Sequence, residues 1–272
     1  MNLVAAMRAE YQRGEGLLWT GVCVKTVIYL TTLATVTWNN RTADTLFLVL
    51  ACVGQMFLFV SRLLMDGYVA VAERLRRLAM LQDGTGREPT CFELADLPER
   101  VWSVTWGPVP DPYYSSQLPR GPKRLVDVTA ECAFFSGKIA QAAWRGFLIV
   151  SVAASAVILI SLVLIAVLGV SQSRLELVAK CALVGITFWM TEDLIDMALR
   201  YRSLASRCEN ILQECFRLLN EQSPSMEEAY VALHEYDAAV AGAPPLPSIV
   251  YRRRNEGLTK IWQEARLHHA TS

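Results

Sequence analysis

Between Arg145 and Arg174 the chain runs for 28 residues without a charged side chain. The core of that run, GFLIVSVAASAVILISLVLIAVLGV, covers 146–170 and is rich in leucine and β-branched residues. At about 1.5 Å of rise per residue this makes a helix of roughly 37 Å, long enough to cross a hydrocarbon layer of about 30 Å with some tilt. A helix apolar on every side belongs inside a large core or in lipid. The length and the bracketing arginines favour lipid, and the rest of the chain is read around a transmembrane helix here.

Three further apolar runs flank it. Leu17–Trp38 carries Trp19 and Trp38 near its ends, as interfacial anchors do. Asp44–Met65 follows after a short polar turn. Leu175–Met197 is the weakest, with Lys180, Glu192, Asp193 and Asp196 inside it. The expectation is an all-α membrane protein with four transmembrane helices in two hairpins, and long helices that continue into a cytosolic helical lobe. Its parts are 1–65 (an N-terminal tail and helices over 17–38 and 44–65), a cytosolic insert over 66–145, a hairpin over 146–197 (helices 146–170 and 175–197) and a cytosolic helical tail over 198–272.

Periodicity supports the continuing helices. Leu64, Tyr68, Val71, Leu75 and Leu78 step by fours and threes, as do Met197, Tyr201, Leu204, Cys208, Ile211, Cys215 and Leu218. Thr90–Glu93 and Ser225–Glu228 have the spacing of capping boxes and predict two helix starts. The stretch from Val101 to Pro122 holds Pro108, Pro110, Pro112 and Pro119 and forms no regular element. Pro122 suits a first helical turn, after which Leu125, Val128, Cys132, Phe135 and Ile139 share one face. That helix is expected to run straight into the charge-free segment. Pro244-Pro245-Leu246-Pro247 makes an extended joint before a last helix from about Ser248.

Charge sets the topology. Arg8, Arg13, Arg62, Arg74, Arg76, Arg77, Arg120, Lys123, Arg124, Lys138, Arg145, Arg200, Arg202 and Arg207 all fall on one side, and the opposite turns hold only Arg41 and Arg174. The bias places both termini and the central insert in the cytoplasm of a multi-pass membrane protein. Lysine plus arginine equals aspartate plus glutamate at 26 each, which argues against a partner such as DNA or RNA. Seven cysteines, three of them within apolar runs and none in a CxxC pair, give no disulfide framework and no metal site. No nucleophile elbow, HExxH, P-loop or GxGxxG is present, and the three histidines form no catalytic pattern. No catalytic residue and no cofactor is expected, and the chain is not read as an enzyme.

Two constellations remain. Lys25 lies about 12 Å into the first apolar run, at a depth similar to that of Glu192 and Asp193 in the fourth. These three either pair inside the bundle or line a pore, or Lys25 snorkels to the interface. In the lobe, Trp106, Tyr113, Tyr114, Arg120, Lys123 and Arg124 cluster in one stretch, and Tyr251, Arg252, Arg253 and Arg254 open the last helix. Aromatic rings stack on bases and cations neutralise phosphates, so these residues are the candidate ligand-binding set. The same residues also suit a basic belt against anionic lipid headgroups.

The order of parts resembles the SMODS-associated four-transmembrane effectors of CBASS-type antiphage systems. The stretches that carry the resemblance are DPYYSS and LPRGP within Asp111–Pro122, and PLPSIVYRRRNEGLTKIW over Pro245–Trp262. Ala133–Trp144 stands where other members carry a tryptophan- and asparagine-rich segment. The resemblance implies a cyclic oligonucleotide made by a neighbouring nucleotidyltransferase as activating ligand. It also implies homo-oligomeric assembly in the lipid bilayer, disruption of the inner membrane and abortive infection. The alternative is a non-pore membrane receptor or scaffold with a cytosolic protein-interaction lobe.

Overall fold

Leu125 to Ala130 are six consecutive buried residues of one helix, including Asp127 and Thr129. Consecutive positions point about 100° apart, so this segment is enclosed on every side. It lies near the start of a 46-residue helix, Pro122–Val167.

The structure is a computed structural model that describes residues 2–38, 41–102, 113–167, 194–221 and 223–271. Eight helices and no strand occur among the described residues. They are α1 (Leu3–Trp38), α2 (Arg41–Thr85), α3 (Cys91–Ala95), α4 (Glu99–Trp102), α5 (Pro122–Val167), α6 (Leu194–Asn220), α7 (Met226–Ala241) and α8 (Ser248–Thr271). The chain divides into two units. A lobe holds Met1–Glu15, Asp66–Trp144 and Leu199–Ser272, and a second unit holds Gly16–Met65 and Arg145–Ala198. Helices α1, α2, α5 and α6 each supply residues to both.

In the lobe, the periodic face of α6 is the buried one. Tyr201, Leu204, Cys208, Ile211, Cys215 and Leu218 are all inside. Both capping boxes form: Thr90 and Ser225 each accept from the backbone N–H three residues on, and Glu93 and Glu228 return the bond. The first residues differ from the expected tail. They open α1, and Leu3, Ala6 and Met7 pack in a cluster with Leu75, Leu78, Ala79, Leu97 and Val101. The apolar positions 3, 6 and 7 are too few to announce a helix alone, and they find their partners on α2 and α4.

The second unit has the opposite character. Val27 and Leu30 on α1, Val53, Met56, Phe59 and Leu63 on α2, and Ile149, Val152, Ile160 and Val163 on α5 are each more than half exposed. A side chain built on Gly54 would meet Ile28 Cδ1 at 2.5 Å, so α1 and α2 approach closely where α2 has none. Among the described residues one helical stretch, Val49–Thr85, is long and apolar enough to cross a membrane. Of the fourth expected span, 175–193 lies outside the described residues.

Candidate functional site

The proline-rich stretch returns to helix at a corner where α2 ends and α5 begins. Gly121 N–H donates to Gly84 O at 2.8 Å. A Cβ on Gly84 would lie 2.8 Å from the Leu125 backbone, so the two helices touch at a position only glycine fills. Gly86 turns the chain away with φ +76°, and the Arg120 side chain lies across it. Arg124 projects from the first turn of α5 and is committed within the corner. Its Nε and Nη2 donate to the two carboxylate oxygens of Asp83 at 3.0 and 2.9 Å, and Nη1 donates to Leu118 O at 2.9 Å.

Just before this corner, Ser115 uses every polar group it has. Its N–H and its hydroxyl donate to Glu131 Oε2 at 2.9 and 2.8 Å. The hydroxyl oxygen accepts from Trp262 Nε1 at 3.1 Å and from Arg266 Nη1 at 3.0 Å. Its carbonyl accepts from Arg266 Nη1 at 2.9 Å, and Arg266 Nη2 reaches Asp127 Oδ2 at 2.6 Å. A hydroxyl offers one donor and two acceptor sites, so Ser115 is saturated. Burial pushes the Glu131 carboxyl above the ordinary range, and the Ser115 bonds pull it back only in part. The neighbouring side chains are also internal: Tyr114 and Ser116 are buried, and neither hydroxyl has a partner among the described residues.

A second polar centre is built around Arg76. Its Nη1 donates to Tyr236 Oη at 3.2 Å and its Nη2 to Asp237 Oδ1 at 3.1 Å, while its guanidinium lies 4.4 Å from the Tyr236 ring centroid. Glu73 completes the ion pairing one turn back on α2 and accepts from Tyr11 of α1. Ser136 of α5 shares a 2.8 Å hydrogen bond with Tyr236. Four helices therefore meet on one buried cation. Burial raises the carboxyls of both Glu73 and Asp237, and Arg76 offsets part of that rise. Burial also holds the thiols of Cys132, Cys208 and Cys215 high, the last two at about 12, so all three stay protonated at neutral pH.

The expected ligand residues do not share one environment. Tyr113 and Tyr114 meet edge to face at 4.8 Å, and Arg8 lies 5.0 Å over the Tyr113 ring. Burial is the main cause that pushes the Tyr113 hydroxyl up to about 12, and Tyr251 is near enough to add to it. Arg124 is tied to Asp83, Lys123 is half-buried, and Arg120 is exposed. Tyr251, Arg252, Arg253 and Arg254 are all exposed on the first turns of α8, with Arg252 Nη2 donating to Ser248 Oγ at 3.3 Å. Lys25 lies half-buried within α1, whereas Trp106, Glu192 and Asp193 lie outside the described residues.

Sequence reasoning missed Ser115, Glu131, Asp127 and Arg266, because their partners are up to 151 residues apart. It also set Arg76 outside the core. The available signal was the small pair Ala72 and Ala79, which flank Arg76 on a second buried face of α2. The comparisons with protein-family models, curated proteins and solved structures find no match to this chain.

Proposed function

We propose that the chain is a membrane effector of a bacterial antiphage system, which senses a cyclic oligonucleotide through its lobe and breaches the inner membrane. The observation that carries this reading is the Ser115 junction. The two stretches on which the family resemblance rests, Asp111–Pro122 and Pro245–Trp262, are joined there by the bond from Trp262 Nε1 to Ser115 Oγ. In this reading the helices over 17–38, 44–65, 146–170 and 175–197 span the bilayer, with both termini cytoplasmic. The exposed apolar side chains of α1, α2 and α5 are the lipid-facing surface. Lys25 with Glu192 or Asp193 forms the polar part of a homo-oligomeric bundle.

Arg120, Arg252, Arg253, Arg254 and Lys260 are the cations with exposed side chains in those stretches, and the four arginines are the phosphate contacts in this account. Arg124 serves as a support that holds the corner in shape. Calorimetric titration of the detergent-solubilised full chain with a panel of cyclic di- and trinucleotides tests the sensing step. One ligand binds, and Arg120→Glu weakens it about tenfold or more, the loss expected for a charge-assisted bond. No binding across the panel contradicts the proposal.

One observation favours a second reading, a receptor or scaffold without a pore. Met226, Tyr230, Val231 and His234 of α7 line an open groove beside Arg77, and Tyr230 and Val231 are exposed. A protein-interaction lobe would use such a face, and this reading predicts intact vesicles with every ligand.

A further inference from the structure

Helix α8 is 24 residues long, yet from Ser248 to Arg266 only Leu258 and Trp262 are buried. Helix α7 buries six side chains in 16 residues. Little apolar burial holds α8 to the lobe, so its attachment depends on a few points. Trp262 sits with its ring centroid 5.2 Å from Phe134 and 6.2 Å from Phe216. Trp262 and Arg266 then bond to Ser115, and Arg266 bonds to Asp127. At the other end the Glu15 carboxylate accepts from the Ser248 N–H at 2.9 Å. The joint before α8 is fixed separately, where Tyr201 Oη donates to Pro245 O at 2.8 Å.

We propose that α8 is a latch: it leaves the lobe as one unit about the joint at 245–247, while α5, α6 and α7 stay folded. Ser115 is the catch. Its hydroxyl is saturated and its carbonyl holds Arg266, so Ser115 cannot shift without breaking bonds to both α8 residues. Ser115 lies five residues before Arg120, in the stretch assigned above to the ligand. A ligand that displaces this stretch therefore opens α8 and uncovers the rings of Phe134 and Phe216. The trigger rests on the proposed function, whereas the latch rests only on the contacts of α8.

Amide hydrogen exchange, read by mass spectrometry on the detergent-solubilised full chain without ligand, tests the latch. Arg266→Gln and Ser115→Ala each speed exchange over 250–266 by about tenfold or more, the scale of one lost charge-assisted bond. Exchange over 125–143, 204–218 and 229–240 stays as in the wild type. Asp127→Asn, which keeps the shape of the acceptor, gives the same pattern. Unchanged exchange in α8, or an equal increase across α5, α6 and α7, overturns the proposal. Because no ligand is present, a failed latch leaves the ligand reading standing, and a failed titration leaves the latch standing.

Discussion

Arg124 forks onto Asp83 through two parallel hydrogen bonds, at 3.0 and 2.9 Å, and so ties the first turn of α5 to the end of α2. The pair is partly buried, with side-chain exposures of 18% and 24%. A planar guanidinium matches a carboxylate with two bonds, and an ammonium does not. Arg124→Lys should therefore lower stability by about 1–3 kcal/mol, although the charge is kept. Arg120→Glu, at an exposed side chain, should change it by less than about 0.5 kcal/mol. Thermal unfolding of the two variants in detergent separates them. Equal losses would mean that the fork does not hold the corner, and they would make Arg120 unusable as a clean probe of ligand binding.

The Arg76 centre predicts a larger effect. Removing the cation leaves Glu73 without its guanidinium partner and Asp237 with the longer, 3.5 Å contact to Arg77. Breaking such a buried pair costs about 3–5 kcal/mol. Arg76→Met should lose that much, and adding Glu73→Gln and Asp237→Asn should recover a substantial part by removing the stranded charges. If the triple variant is less stable than Arg76→Met alone, the carboxylates are contributing through bonds other than those to Arg76.

The same centre sets a pH dependence. Glu73 and Asp237 have folded values above their unfolded ones, near 4.5 and 3.8. Between the two values the folded state binds more protons, so this contribution to stability grows as pH falls through the raised folded value and is complete below the unfolded value. Glu93, Glu214 and Glu228, each hydrogen-bonded in the folded state, are shifted downward and act in the opposite sense at lower pH. The informative quantity is the difference in melting temperature between wild type and Glu73→Gln. That difference should move in favour of the wild type on acidification from pH 7 toward 4.5. A difference independent of pH would contradict the upward shift of Glu73.

Local rules carried much of the lobe. The face from Tyr201 to Leu218 and the two capping boxes depend on neighbours within four residues, and they stand in the structure as the spacing implies. The start of α5 at Pro122 is of the same kind. Polar centres are different. Arg76 finds Asp237 161 residues away, and Ser115 finds Trp262 147 residues away. Nothing in a window around Arg76 distinguishes it from Arg77, which is more than half exposed while reaching the same Asp237, except the alanines on its face. A basic residue among basic residues reads as belt, and only the packing of α7 against α2 turns one of them into a core cation. For the same reason Arg124 reads as a ligand contact until Asp83 is placed beside it.

Release of an entrapped dye from proteoliposomes of the full chain, measured with the panel of cyclic oligonucleotides, tests the central claim most directly. The account predicts release with one ligand of the panel, none without ligand, and loss of release for Arg120→Glu at wild-type protein levels. Vesicles that stay sealed with every ligand would contradict it.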